Sequence, residues 1–279
     1  MKKMFGVIGD PIAHSMSPAM HNDLFQLHGI DASYLPFHVS NDDLESAVKG
    51  LKALGASGFN VTIPHKTEII PYLDGIDPLA EAIGAVNTVK NEGGLFIGYN
   101  TDGPGFVKGL ESHAADLLSR SALIIGAGGA ARAIYFSMAK AGFKHIDICN
   151  RTPNKAEELV NACPYKVDSK VLDYDSAERN LGNYQLLVQT TSIGMHPDID
   201  SVPLSTNNIA QHSFVSDIIY NPLQTKLLKE ASVKGASTQN GIEMFVYQGA
   251  LAFEKWTGIF PDTEKMKANV LRHLGGYTC

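Results

Sequence analysis

Residues 122–132 read Ala-Leu-Ile-Ile-Gly-Ala-Gly-Gly-Ala-Ala-Arg, an apolar strand that runs through Gly126-x-Gly128-x-x-Ala131 into a helix. This is the spacing of a dinucleotide-binding turn. Gly126 permits the tight bend, Gly128 lets the backbone approach a pyrophosphate, and the small Ala131 lets the helix pack closely on the strand. Ala127, Gly129 and Ala130 complete the loop, whose free N–H groups at the helix start face phosphate oxygens. A glycine fingerprint alone is a weak signal, but here a strand precedes it and a helix follows. The next strand, residues 145–149, runs into Asn150-Arg151-Thr152, where an NAD enzyme usually places an acidic residue for the ribose 2′-hydroxyl. A cation and a hydroxyl there suit a 2′-phosphate, so the expected cofactor is NADP. The motif's mid-chain position implies that a separate domain comes first.

The length of 279 residues suggests two domains, and 44% hydrophobic against 19% charged residues gives enough apolar mass for two cores. Net charge is −6 and no basic stripe interleaved with aromatics occurs, which argues against a nucleic-acid partner. No apolar run approaches the ~18 residues of a membrane span. The start, Met1-Lys-Lys-Met-Phe-Gly-Val-Ile-Gly-Asp10, has too short an apolar run for a secretion signal and reads as a first strand. Cys149, Cys163 and Cys279 are odd in number and lack metal-ligand spacing, which points to a reducing cytoplasm. Cys149 ends a strand and reads as a buried small hydrophobe. His14, His21 and His28 recur every seven residues, but no carboxylate completes a ligand set, so no metal is expected.

Up to residue 102 strand and helix alternate. Strands are expected at 5–8, 33–39 and 58–61, and helices at 18–27, with Ser17 as N-cap, and at 42–54. A helical stretch near 66–72 and a hairpin of 86–90 with 95–98 follow. The pattern favours a parallel sheet between helices, with one antiparallel strand. Pro104 begins a helix to about Leu118. A second alternating series then reads strand 122–125, helix 130–141, strand 145–149, helix 154–162, strands 184–189 and 214–218, and helix 223–233. Residues 164–183 give no clear pattern. From Gly241 the chain is helical almost to its end and adds no strand, so this tail is expected to return to the first domain. The division is thus 1–103 completed by 241–279, and 104–240.

The first domain carries polar clusters at strand ends, where open α/β sheets place ligands: Ser15-Met-Ser17-Pro18, Asn60-Val-Thr62-Ile-Pro-His-Lys66, Gly84-Ala-Val-Asn87-Thr88 and Asn100-Thr101-Asp102-Gly103. Small hydroxyls, amides, one amine and one carboxylate suit a small polyhydroxylated carboxylic acid. Lys66 and Asp102 are the ionisable pair among them suited to moving a proton.

These clusters, in this order, with Gly-Ala-Gly-Gly-Ala, Asn-Arg-Thr, Thr190-Thr-Ser-Ile-Gly194, Asp217-Ile-Ile-Tyr220-Asn-Pro and Met244-Phe-Val-Tyr-Gln248-Gly, resemble the shikimate dehydrogenase family over nearly the whole chain. The resemblance implies a two-domain α/β fold with a Rossmann-type second domain. It further implies NADP-dependent reduction of 3-dehydroshikimate to shikimate in aromatic amino-acid biosynthesis, by a cytoplasmic monomer or homodimer. By it, Ser15 and Ser17 grip the substrate carboxylate, with Tyr220 nearby. Asn60, Thr62, Asn87, Asp102 and Gln248 bind ring hydroxyls, and Lys66 is the acid/base. The glycine loop, Asn150, Arg151, Thr152, Lys155, Thr190, Thr191, Ser192, Ile218 and Gly241 hold NADP. Thr190 stands where many relatives have Ala, and Glu243 where many have Gly.

Other readings stand beside these. A quinate dehydrogenase would share nearly every motif, a dehydrogenase for amino acids or folates could use a related two-domain fold, and a silent NADP-binding sensor could keep it. Residue by residue, Asp102 before Gly103-Pro104 is also a good N-cap, as are Ser17 before Pro18 and Thr152 before Pro153. Asn60 and Thr62 before Pro64 could close a strand with a turn. Lys66, Arg151 and Lys155 could be solvated surface cations, and Tyr220 and Gln248 packing residues.

Overall fold

The computed structural model describes residues 2–113 and 116–275. Cys279, counted above among the thiols, lies outside them. The chain divides into two compact units, residues 1–105 with 246–279, and residues 106–245.

The first unit runs β1 (Lys3–Gly9), α1 (Ser17–Leu27), β2 (Ala32–His38), α2 (Leu44–Ala53), β3 (Gly58–Val61), β4 (Gly75–Ile76), α3 (Pro78–Ile83), β5 (Thr88–Glu92) and β6 (Leu95–Tyr99), and α4 (Asp102–Glu111) begins in it and ends in the second. Its sheet has the order β2-β1-β3-β5-β6-β4. Only β5 runs against its neighbours, pairing antiparallel with β3 and β6. One face is covered by α2, whose Leu44, Val48 and Leu51 follow helical spacing into a core with Ile8, Phe59, Val61, Val89 and Phe96. The other face carries an aromatic cluster in which Phe5 stacks on Phe25 at 5.0 Å and Phe25 meets Phe253 at 5.5 Å. His21 belongs to this cluster, with its ring 4.6 Å from Tyr34.

The second unit follows with β7 (Ala122–Ile125), α5 (Gly129–Ala141), β8 (Ile146–Cys149), α6 (Pro153–Asn161), β9 (Val171–Leu172), α7 (Tyr174–Asn180), β10 (Leu186–Gln189), β11 (Phe214–Asp217), α8 (Lys226–Val233) and β12 (Ser237–Gln239). Here the order is β12-β11-β10-β7-β8-β9, and every pairing is parallel. The winding reverses between β7 and β10, the switch point beside which doubly wound sheets bind nucleotides. Both strands are buried along their length, as both-faced burial of a parallel sheet requires. The chain ends in α9 (Ile242–Thr257) and α10 (Thr263–Gly275). Phe253 of α9 is buried, and Trp256 donates its indole N–H to the Val89 carbonyl at 2.9 Å, which ties this tail to the first sheet.

Several local expectations change. Ser17 is the first helical residue of α1, and the cap position belongs to Met16 without a side-chain bond. Residues 66–72 form turns and end in a 3-10 turn at Ile70–Tyr72, since Pro71 cannot donate within an α-helix. β4 and α3 lie between residues 73 and 85, for which no element is expected from sequence; with two and six residues both are short. The hairpin begins two residues later than expected, because the Val86 N–H bonds to the Lys66 carbonyl rather than across the ladder. The helix expected from Pro104 to about Leu118 starts at Asp102 and ends at Glu111. The unreadable stretch 164–183 holds β9 and α7, the latter capped by Asp173 through the Ser176 N–H.

Candidate active site

The C-terminal end of β3 delivers Asn60 and then Thr62, and the following turn delivers Lys66. That turn is pinned by His65, whose Nε2 lies 2.7 Å from the Val39 carbonyl in the core. The hairpin brings the other half of the site alongside, since Thr88 pairs with Tyr99 across β5 and β6. Asn87 and Asp102 therefore meet at the hairpin's open end. Asn100 closes the start of α4, its Oδ1 accepting the N–H groups of Asp102 at 3.1 Å and Gly103 at 3.4 Å. Asp102 is thus not the helix cap. Its carboxylate turns elsewhere.

Lys66 Nζ donates to Asp102 Oδ2 at 2.6 Å, and Asn87 Nδ2 donates to Asp102 Oδ1 at 2.8 Å. The lysine side chain is 31% exposed and the aspartate 16%, so the pair is shielded yet reachable. Behind it, Asn60 Nδ2 donates to the Asn87 carbonyl and to Thr88 Oγ1, each at 3.0 Å. The Tyr34 hydroxyl donates to Asn60 Oδ1 at 2.6 Å. Burial pushes the Tyr34 phenol well above its ordinary range, with the neighbouring Ser17 hydroxyl opposing. Ser17 N–H in turn points to Ser15 Oγ at 3.4 Å. Ser15, Ser17, Asn60, Lys66, Asn87 and Asp102 are therefore linked within one unit. Thr62 sits beyond β3 with its N–H on the Ile8 carbonyl. Gln248 lies in α9, whose backbone passes so close to Gly105 that a Cβ there would stand 2.6 Å from the Gln248 nitrogen. Tyr220 belongs to the second unit, its ring 5.6 Å from Phe245, and burial raises its phenol.

The second unit offers a phosphate cradle. Gly126 has φ +114°, and an added Cβ would lie 2.6 Å from Thr190 Oγ1, so only glycine fits this turn. Gly128 occupies the cap position of α5 with no side-chain cap bond, and neither Gly128 nor Gly129 has anything within 4 Å where a Cβ would stand. Gly128 and Gly129 are exposed and leave bare backbone at the start of α5, where the first N–H groups of a helix suit a pyrophosphate. Ala131 is fully buried under the helix, while Ala127 and Ala130 are half-buried. At the end of β8, Asn150 Nδ2 donates to the Thr152 carbonyl at 2.8 Å and shapes the turn. Thr152 stands at the α6 cap position but makes no side-chain cap bond, so capping does not occupy its hydroxyl. Arg151, Thr152 and Lys155 are exposed on this rim. Across the switch point, Thr190 donates its hydroxyl to the Ile125 carbonyl at 2.7 Å, and Gln189 Nε2 holds the Thr191 hydroxyl at 2.9 Å. Ser192 is exposed beyond them. Gly241 packs on Ile218, where a Cβ would overlap the carbonyl.

The chain is similar to known proteins along nearly its whole length. The pattern of the shikimate dehydrogenase substrate binding domain matches residues 7–89. That of shikimate / quinate 5-dehydrogenase matches 109–212, and that of the shikimate 5′-dehydrogenase C-terminal domain matches 241–271. A Bacillus cereus protein named shikimate dehydrogenase (NADP(+)) is 56% identical over 277 residues, covering 99% of this chain and 100% of its own. The chain belongs to the shikimate dehydrogenase family. The Thermus thermophilus shikimate 5-dehydrogenase, solved with NADP(H) and shikimate, superposes with TM-score 0.87 at 35% identity, over 97% of this chain and 99% of that one. Quinate dehydrogenase from Corynebacterium glutamicum, solved with NAD, reaches TM-score 0.89 at 28% identity, over 97% and 99%.

Four members of the polar network were not singled out from sequence. Asn100, Thr101 and Thr88 lie inside the quoted clusters, and their place beside Asn and Asp was the available signal. Tyr34 had none: a tyrosine in a strand looks like any other core aromatic.

Proposed function

We propose that this protein catalyses the reversible reduction of 3-dehydroshikimate to shikimate with NADPH, a step of aromatic amino-acid biosynthesis. The observation that carries the reading is the Lys66–Asp102 pair at 2.6 Å, half-shielded and braced by Asn87. Bound NADPH supplies the hydride that reduces the C3 carbonyl. Lys66 delivers a proton to the carbonyl oxygen as negative charge develops there, and Asp102 hydrogen-bonds the resulting hydroxyl and orients the lysine. Ser15 and Ser17 donate to the substrate carboxylate. Thr62, Asn87 and Gln248 take ring hydroxyls, and Asn60, which lies behind Asn87 with its Nδ2 on the Asn87 carbonyl at 3.0 Å, braces them. The chain's own contribution is orientation and charge stabilisation.

Residues 1–103 with 241–279 act as the substrate domain and 104–240 as the NADP domain. Gly126, Gly128 and Gly129 receive the pyrophosphate, and Ala127, Ala130 and Ala131 keep the turn small. Arg151, Thr152 and Lys155 bind the 2′-phosphate, with Asn150 shaping their turn. Thr190, Thr191, Ser192, Ile218 and Gly241 line the nicotinamide end. No helix among the described residues is long and apolar enough to cross a membrane. We place the enzyme in the cytoplasm as a monomer or homodimer, which sedimentation would resolve.

The test is kcat/KM for shikimate and quinate, each with NADP and NAD, on one preparation. Quinate adds a hydroxyl at the carbon bearing the carboxylate, beside Ser15 and Ser17. An unpaired buried polar group costs about 1–3 kcal/mol, so shikimate is expected to be favoured about tenfold to a hundredfold. Comparable values for both acids would move the enzyme to the quinate/shikimate group, and no turnover of either would leave an NADP-binding sensor.

A further inference from the structure

Hydrogen-bond polarity behind the Lys66–Asp102 pair can be read outward from atoms that have no choice. The Asn87 carbonyl can only accept, so the Asn60 atom 3.0 Å from it is the amide nitrogen. The atom facing Tyr34 is then Asn60 Oδ1, and the tyrosine must donate, at 2.6 Å. Asn60 gives its second amide hydrogen to Thr88 Oγ1 at 3.0 Å. Thr88 passes its own hydrogen to Asn87 Oδ1 at 3.1 Å or to Thr101 Oγ1 at 3.2 Å. The Thr101 N–H also donates to Asn87 Oδ1, at 2.7 Å, which turns the Asn87 nitrogen to Asp102 Oδ1. The other carboxylate oxygen is left to Lys66. Tyr34, Asn60, Asn87, Thr88 and Thr101 are all buried, so water has little access to replace a missing link. His21 stacks on the Tyr34 ring at 4.6 Å and Trp256 lies 6.1 Å away, so packing holds the hydroxyl that starts the chain.

We propose that Tyr34 and Thr88 are positioning residues for the reaction, acting through Asn60 and Asn87 to hold the Asp102 carboxylate in one orientation, with one oxygen on Asn87 and the other toward Lys66. This rests on the reading of the Lys66–Asp102 pair given under Proposed function. Neither residue touches the reacting atoms. Their effect is to stop the two buried amides from turning, so that one carboxylate oxygen stays anchored and the other stays free for the lysine and the substrate hydroxyl.

The test compares the wild type with Tyr34→Phe, Thr88→Val and Thr88→Ser in shikimate oxidation with NADP. Phenylalanine and valine keep the shape and remove the hydroxyl. Each is expected to lower kcat about tenfold, as when a buried acceptor loses its donor, with the KM for NADP unchanged. Thr88→Ser keeps the hydroxyl and is expected to restore most of the rate. In a double-mutant cycle, Tyr34→Phe should cost nothing further in an Asn60→Ala background, because the tyrosine acts through that amide. Near-normal kcat in folded Tyr34→Phe and Thr88→Val, or losses that multiply in the cycle, would overturn the proposal. A readout independent of turnover is hydrogen exchange of the Asn60 and Asn87 side-chain amides by NMR. It is expected to be slow in the wild type and fast in Tyr34→Phe, and equal exchange rates would also overturn the proposal. Absence of turnover in the wild type itself counts against the proposed reaction, while the amide exchange still judges the chain.

Discussion

In the first unit the polar groups at the strand ends are side chains bonded to one another, from Tyr34 through Asn60 and Asn87 to Asp102 and Lys66. In the second they are backbone N–H groups bared by Gly128 and Gly129 at the start of a helix. Proton transfer needs a donor whose position is set to a fraction of an ångström, and under the proposed reaction the braced network of side chains would supply it. A diphosphate needs only aligned N–H dipoles and room for close approach, and glycine supplies both. The sheets differ to match. The single antiparallel strand β5 folds Asn87 against Asp102, whereas the all-parallel sheet keeps every strand's C-terminal end on one edge for the nucleotide.

Breaking the side-chain site should have the largest effect. Lys66→Ala is expected to lower kcat by about 10²–10⁴-fold, the usual range for a positioned acid or base, with little change in the shikimate KM. Asp102→Asn should raise that KM as well, since in the proposed reaction the carboxylate also meets a ground-state hydroxyl. Steady-state kinetics on both variants checks this, and near-normal turnover in Lys66→Ala would place the proton donor elsewhere.

Changing the rim of the second unit's site should leave substrate binding alone and weaken the cofactor. With Arg151 on the 2′-phosphate as proposed, Arg151→Ala would remove one charge-assisted contact worth about 1.5–3 kcal/mol, so the NADP KM should rise about tenfold or more while NAD is nearly untouched. Equal losses for both cofactors would reject the assignment of this rim to the 2′-phosphate.

The two units also carry buried titratable groups of opposite sign. Burial in the aromatic cluster of the first unit drops the His21 imidazole to about 3 from its ordinary 6.5. Its folded pKa is depressed, so the stability it contributes is present above pH 6.5 and is lost as pH falls toward 3, by about 1.4 kcal/mol per unit at most. Burial in the second unit raises the Asp217 carboxyl to about 6 from 3.8, opposed by hydrogen bonds from the Ile219 N–H and the Thr225 hydroxyl. Here stability is present below pH 3.8 and is lost as pH rises to 6. His21→Phe should therefore reduce the acid sensitivity of the first unit. Asp217→Asn should flatten the loss between pH 4 and 6 in the second. Thermal unfolding from pH 4 to 7 reads both, and parallel pH profiles for wild type and variants would refute the shifts.

The smallest effect is expected at Thr190, whose hydroxyl is spent on the Ile125 carbonyl at 2.7 Å. Thr190→Ala should cost about 0.5–1.5 kcal/mol of stability and change NADP kinetics little. A large kinetic change would show that this hydroxyl serves the cofactor and not the joint between β7 and β10.

Much of this molecule was legible in the chain because its signals are local. A strand, a glycine turn and a helix within residues 122–141 depend on neighbours in sequence, and so do Pro153 at the start of α6 and the glycines that turn the hairpin. Clusters ending in Lys66 and Asp102 were legible as chemistry, since amine, carboxylate and amides at strand ends have few other reasons to recur. What lay beyond the sequence was which of several capable groups does which task. Asn100, not Asp102, closes α4, and Ser17 begins a helix that it does not cap. Short elements such as β4, α3 and β9 fall below the length at which periodicity can be seen, and only their sheet and core neighbours hold them in place. Tyr34 meets Asn60 across 26 residues of chain, and its donor role follows from a carbonyl on a third segment. Local composition sets which groups are available, but a hydrogen bond's direction depends on every partner around it, and those partners converge only when the sheet has formed.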